Sequence, residues 1–137
     1  MGTVDFNAGV IEEFRANKGK VAAFGDAPVV LLTTTGGKSG KKRVNPLVAL
    51  LEGDQVYVVA SKAGAPTNPD WYYNLLAHPE VSVELGEDRF DAVATPVTGA
   101  ERDRLFAAQV AAQPGFADYE KKAVGRVIPV VELQRRS

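Results

Sequence analysis

The chain has 137 residues, 45% of them hydrophobic, with a net charge of −1 and a pI near 5.8. That is enough chain to bury a core as one domain, and it is not the profile of a general nucleic-acid binder. With no cysteine and a single histidine, His78, disulfides, thiolate metal sites and thiol catalysis are excluded, and a zinc site would need carboxylates almost alone. No leader pattern and no long apolar run occurs, so a soluble, cytoplasmic protein is expected.

The spacing of Phe6, Val10, Ile11 and Phe14 predicts an amphipathic helix over residues 5–18, with Glu12, Glu13 and Arg15 on its wet side and Gly19 placed to stop it. Its apolar stripe has two candidate partners, the end of a barrel or the inner face of a membrane; the mixed charge of its polar side favours the barrel. Val29–Thr35 reads as a β-branched strand, Val44–Leu51 as a second, and Gly53-Asp54 as a tight turn into a third, Val56–Ser61. Asn68 and Pro69 open a short helix to Ala77, Asn68 as its N-cap and Pro69 in its first turn. His78 then falls where a C-terminal cap belongs.

Val81–Leu85 and Phe90–Val97 alternate apolar and polar residues around Gly86-Glu87-Asp88, the pattern of an antiparallel hairpin. Thr98 and Glu101 have capping-box spacing and open a helix to Gln113, with Leu105, Phe106 and Val110 inward. Pro114-Gly115 ends it, a helical turn over Phe116–Val124 follows, and Val127–Leu133 is the last strand. Hairpins dominate, and strands do not alternate regularly with helices. The prediction is therefore a single domain over 1–137 built on six antiparallel strands in a closed or split barrel, with helices over its ends.

Three segments could carry chemistry. Gly36 to Pro46 holds three glycines, one serine and four cations (Lys38, Lys41, Lys42, Arg43), and no Asp or Glu occurs from Ala27 to Leu51. Turn glycines would bring backbone N–H groups to an anion while Lys and Arg supply charge and Ser39 a donor. That suits a phosphate; the plainer reading is a solvated hairpin loop. Val59 to Ala65 is a strand exit in small residues, with Ser61 and Lys62, against which a flat ligand could lie. Trp71, Tyr72 and Tyr73 precede Asn74 on the short helix; neighbours on a helix point about 100° apart, so the three rings cannot share one core. No Ser-His-Asp or Cys-His set, Walker loop or dinucleotide fingerprint is present. Chemistry supplied by a bound cofactor fits this inventory better than side-chain acid–base hydrolysis.

Lys38-Ser39-Gly40, Arg43-Val44-Asn45-Pro46, Ala60-Ser61-Lys62 and Asn68-Pro69-Asp70-Trp71-Tyr72 through Asn74 occur in this order and at these spacings. Together they make the chain resemble the deazaflavin-dependent nitroreductase family of actinobacteria, which uses reduced coenzyme F420 and includes quinone reductases. The resemblance implies a split β-barrel related to the FMN-binding, pyridoxamine phosphate oxidase-like fold. It places Gly37, Lys38, Ser39 and Arg43 at the coenzyme's phosphate and acidic tail. Val44, Asn45, Pro46, Leu47 and Val48 would line the deazaflavin ring or ribityl chain, with Val59, Ala60, Ser61 and Lys62 as the next wall. Asp70, Trp71, Tyr72, Tyr73 and Asn74 would close the site. Asp70 departs from the apolar residue common there, and an acid beside an anionic coenzyme calls for a partner such as Lys62.

On this resemblance the chain is an oxidoreductase passing hydride from reduced F420 to a flat electrophile: a quinone, an enone or a nitroaromatic. Phe116 and Tyr119 would meet the substrate, and Tyr119, Ser61 or water would supply the proton. Two alternatives stand beside it: an FMN-dependent oxidoreductase on the same barrel, and a non-catalytic carrier of F420. Tyr119 as a plug for a barrel end is the plain reading of that residue. Monomer and homodimer are both compatible with the sequence.

Overall fold

The structure, a computed structural model, describes residues 3–24, 27–37, 39–60, 68–122 and 127–136. Lys38, Ser61 and Lys62, with the rest of the 61–67 segment, lie outside the described residues, as do Ala123 and Val124 and the side chain of Phe6. The chain runs α1 (Thr3–Ala16), β1 (Val29–Thr35), β2 (Lys42–Glu52), β3 (Gln55–Val59), α2 (Asp70–Ala77), β4 (Glu80–Leu85), β5 (Asp88–Val97), α3 (Gly99–Ala112), α4 (Gly115–Lys122) and β6 (Val130–Arg135). The strands close into a barrel in the order β1-β2-β3-β6-β5-β4, and every neighbouring pair is antiparallel.

Strand alternation sorts the apolar residues into separate cores. Val30 and Leu32 of β1, Ala49 of β2, Val58 of β3, Val83 of β4, Ala92 of β5 and Leu133 of β6 face the barrel interior, where Trp71 and Leu75 of α2 join them. The small interior residues Ala49, Ala60, Ala92 and Ala94 share that space with the indole. On the outer wall, Val29 and Leu31 are covered by Val10 and Phe14 of α1. A third cluster joins Leu50, Tyr57, Val59 and Val130 of the wall to Leu105 and Phe106 of α3, with Phe116 and Tyr119 of α4 at its margin.

Helices were expected over the barrel ends. Only α2 is of that kind; α1, α3 and α4 clad the side wall, because the outward residues of β1, β2, β3 and β6 are as apolar as the inward ones. Two caps also differ from the pattern. The N-cap of α2 is Pro69 and not Asn68, so the helix begins one residue later. Thr98 sits at the N-cap of α3 but makes no side-chain cap bond, and Glu101 is engaged by Arg104 instead. His78 is the C-cap of α2, its N–H donating to Asn74 O at 2.8 Å.

The up-and-down order decides where a site can form. The β2–β3 and β4–β5 connections, tight turns at 53–54 and 86–87, lie at one end of the barrel. The β1–β2 loop, α2 and the α3–α4 pair all belong to connections at the other end. The described parts of the segments singled out by the sequence, the β1–β2 loop, the end of β3 and α2, are thereby gathered at one rim.

Candidate functional site

The β1–β2 loop is held by its own backbone. Gly36 N–H donates to Lys41 O at 2.7 Å and Gly40 N–H to Gly36 O at 2.9 Å. Lys41 N–H donates to Ser39 Oγ at 3.2 Å. A Cβ on Gly36 would come within 2.5 Å of Ser39 Oγ, so a glycine is what lets the serine tuck under the loop. Gly37 N–H leaves the loop altogether and donates to Asn74 Oδ1 of α2 at 3.2 Å. These amides were expected to face an anion; four of them are bonded within the protein instead. Those four amides are not free to meet a ligand, whereas the Ser39 hydroxyl proton is still available because its oxygen is the acceptor.

Lys41, Lys42 and Arg43 stand exposed at the mouth of the barrel, and among the described residues none has a carboxylate partner. Lys42 Nζ donates to Thr35 Oγ1 at 2.9 Å, an uncharged partner that leaves its charge unneutralised. Elsewhere on the surface Arg15, Arg102, Arg104, Arg135 and Arg136 each meet an Asp or Glu, and the other described cations without an ion pair, Lys20, Arg89, Lys121 and Lys122, lie singly or as one pair and not as a run of three. Arg104, between Glu101 and Glu52, is pushed further up from an already high value by those two hydrogen bonds. A cluster kept clear of acids, in a chain with more acids than bases, is the donor set a multiply anionic ligand requires.

Beyond the loop, β2 presents two faces. Asn45 and Leu47 fall on the inward register with Ala49, opposite Leu32 and Val30, so they belong with the barrel interior and α2. Val44, Pro46 and Val48 fall on the outer face, opposite Thr33, Leu31 and Val29. All three are half-buried, Val44 packing against the α1 cluster. Pairing of β2 with β3 runs only from Ala49 to Glu52 among the described residues, so Pro46 sits in a stretch bonded on its β1 side, where a missing N–H is tolerated.

The aromatic helix divides as helical geometry demands. Trp71 is buried in the barrel, Tyr72 is half-buried against the same core, and Tyr73 is 51% exposed. Tyr72 and Tyr73 meet edge to face at 5.8 Å. Asp70 is exposed on the first turn. Asn74, expected beside the cofactor, points back into the protein: besides accepting from Gly37 it donates through Nδ2 to Thr34 Oγ1 at 3.3 Å. Thr34 was not singled out beforehand, although its place was legible as a hydroxyl on the inward register at a strand end.

Phe116 and Tyr119 pack edge to face at 5.2 Å and lie half-buried against the outer-wall cluster that includes Val59. Tyr119 plugs no barrel end; it belongs to the same outer wall as Pro46 and Val48. Inward-facing Asn45, Leu47 and Ala60 are separated from it by the sheet itself.

The fold defines a class: a closed six-stranded antiparallel barrel clad by helices. Solved barrels of that class, including a pyridoxamine 5′-phosphate oxidase-like protein of Listeria innocua at 12% identity and a TM-score of 0.56, share the fold. Residues 9–135 match the model of the F420H(2)-dependent quinone reductase family, and the chain belongs to that family. An F420H(2)-dependent quinone reductase of Mycobacterium tuberculosis is 37% identical over 115 residues, 82% of this chain and 76% of that protein. A solved F420H2-dependent reductase is 44% identical with a TM-score of 0.72, over 78% of this chain and 94% of its own. A further solved structure, described only as a domain-swapped dimer, is 38% identical with a TM-score of 0.74, over 97% of this chain and all of its own. The chain is thus a deazaflavin-dependent oxidoreductase, with F420 as its coenzyme.

Proposed function

We propose that this protein carries hydride from F420H2 to a quinone, the coenzyme's phosphate and glutamate carboxylates lying against Lys41, Lys42 and Arg43, with Gly37, Lys38 and Ser39 beside them. The observation that carries this reading is the exposed cation cluster without acid partners at the mouth of the barrel. The residues fit the coenzyme: charges for its tail, and an apolar half-buried strip on the outer face of β2, Pro46 and Val48, for its flat ring. When bound, the reduced deazaflavin supplies the hydride. The chain's own part is to hold ring and acceptor face to face, at about 3–3.5 Å for the reacting atoms, and to exclude water.

A quinone that received that hydride would need one proton to complete the hydroquinone, and the chain's part would be to hold it. Tyr119 is the side chain assigned to that proton, since Phe116 and Tyr119 stand on the same wall as the strip. Ser61 is the second candidate. Among the described residues no helix is long and apolar enough to cross a membrane, and Val10 and Phe14 of α1 are buried against the wall. We therefore assign α1 to cladding the barrel, with the quinone arriving at the rim. The domain-swapped neighbour supports a dimer, which sedimentation would test.

The test is titration of the purified protein with F420 and with FMN, followed by F420H2 oxidation with a water-soluble quinone. At least a tenfold preference for F420 and quinone-dependent oxidation are expected, because FMN offers the cluster one phosphate where F420 adds several carboxylates. Equal or tighter FMN binding would overturn the cofactor assignment. Tight F420 binding with no turnover on any acceptor would make the protein a carrier.

A further inference from the structure

We propose that Thr34 and Asn74 form a buried strut that sets the position of the cationic loop, so that both govern affinity for the coenzyme's anions without touching them; this rests on the reading above. Thr34 is fully buried, on the inward register opposite Arg43. Its Oγ1 accepts from Asn74 Nδ2 at 3.3 Å, and Asn74 Oδ1 accepts from Gly37 N–H at 3.2 Å. The amide's orientation is dictated by its partners: Gly37 offers a donor, so the oxygen must face it, and the nitrogen is left for the hydroxyl.

Among the described residues, the Gly37 bond is the one hydrogen bond from residues 36–41 to a separate element; the others close the loop on itself. Asn74 is itself firmly placed, next to Leu75 and one turn on from Trp71, both buried in the barrel. A Cβ on Gly37 would rest 3.6 Å from Ala77 Cβ, so loop and helix are also in contact there. The path runs from a buried strand hydroxyl, through the helix, to the loop that carries Lys41 and leads into Lys42 and Arg43 at the start of β2.

A cation cluster on an untethered loop must be ordered when the ligand binds, and that ordering weakens binding; a tether removes the loss beforehand. The strut should matter for the anionic part of the coenzyme and be indifferent to the ring. Asn74 thereby becomes a positioning residue and not a ring contact, and Thr34 joins it.

The experiment compares two ligands, F420 and its ring-and-ribityl alcohol fragment, which lacks the phosphate and the glutamate tail. Binding of each is measured by fluorescence for the unaltered protein, Thr34→Val, Thr34→Ser and Asn74→Ala. Loss of one hydrogen bond in the strut should weaken F420 by roughly three- to tenfold in Thr34→Val and Asn74→Ala. Fragment affinity should stay within about twofold, an interval smaller than one hydrogen bond contributes. Thr34→Ser, which keeps the hydroxyl, should bind F420 as the parent does. A fully buried residue that shifts affinity for one ligand and not for its truncated form can act only through the loop. Equal weakening of both ligands would overturn the proposal and place Asn74 at the ring. Unchanged F420 affinity in both Thr34→Val and Asn74→Ala would overturn it by showing that the loop holds itself. If the unaltered protein binds the fragment and F420 equally, the cationic-mouth reading itself fails, an outcome distinct from either. Should Asn74→Ala not fold, the Thr34 pair decides alone.

Discussion

Gln109 offers a stability test that is independent of the coenzyme. It lies on α3, is 1% exposed, and neither its Nε2 nor its Oε1 has a hydrogen-bond partner. Leu105 and Phe106, four and three residues before it on the same helix face, are buried in the outer-wall cluster. An amide held there is removed from water with nothing in return, a loss of roughly 1–3 kcal/mol in proteins. Gln109→Met keeps the unbranched shape and the helix propensity while removing both polar atoms. The expected result is a gain of about 2 kcal/mol, allowing for imperfect fit of the longer thioether. For a chain of 137 residues that is a rise in Tm of roughly 6–10 °C. Urea unfolding should show a higher midpoint with an unaltered slope, since the surface exposed on unfolding scarcely changes. Gln109→Glu, which places a carboxyl in the same site, should destabilise more as pH rises and the acid ionises. A Met variant no more stable than the parent would refute the reasoning, because it would mean the amide is satisfied.

Four further outcomes are expected. Replacing Lys42 and Arg43 together by Ala should weaken F420 binding by about 2–4 kcal/mol, as charge-assisted contacts contribute roughly 1.5–3 each and are not additive, while the melting temperature of the free protein stays nearly constant. Tyr119→Phe should leave F420 affinity alone and lower turnover with a quinone by roughly ten- to a hundredfold, less than a full general-acid effect because water can substitute; unaltered turnover removes the acid role. Gly19→Ala, at φ +94° with its Cβ 2.7 Å from Gly86 Cα, should lose about 2–4 kcal/mol in a urea melt from strain and overpacking together, whereas Gly53→Ala, at φ +61° with open space around it, should lose only the dihedral part, about 1–2. The fork from Arg15 to Glu84, at 2.9 and 3.1 Å, holds the Glu84 carboxyl below the usual carboxylate range through its hydrogen bonds; that stability is present at neutral pH and lost as pH falls through the lowered value, so Glu84→Gln should cost about 0.5–1 kcal/mol at pH 7 and nothing in acid, read from melts across pH.

Strand positions were the most legible part of the chain because they rest on local signals that agree with one another. Val29–Thr35 appears with the bounds its β-branched run implies, and the remaining strands shift by one to three residues at their ends. Such shifts follow from pairing: Lys42 and Arg43 join β2 because Thr35 and Thr34 stand opposite them, a fact of the partner strand and not of their own side chains. The caps were read less well. Thr98 has the right neighbour for a capping box, but Glu101 is taken by Arg104, which also reaches Glu52 on β2. A local ion pair three residues apart displaced the cap bond, and the arginine that makes it is also held by Glu52, 52 residues away in sequence.

The same distinction runs through the site. Composition showed that the loop is cationic and free of acids, and the structure keeps it so. It did not show that the loop's amides would be consumed by Lys41 O, Gly36 O, Ser39 Oγ and Asn74 Oδ1, since three of those acceptors lie within the loop and one lies 37 residues away. Nor could a segment-by-segment reading separate Asn45 and Leu47 from Pro46 and Val48. Strand alternation sends the first pair into the barrel with Trp71 and leaves the second on the wall that carries Tyr119. A ring lying on that wall can meet Tyr119 without disturbing the core, whereas a ring inside the barrel would have to displace the Trp71 indole from among Ala49, Ala60, Ala92 and Ala94. On the proposed reading, an interior already filled by an aromatic side chain leaves the outer face of β2 for the ring.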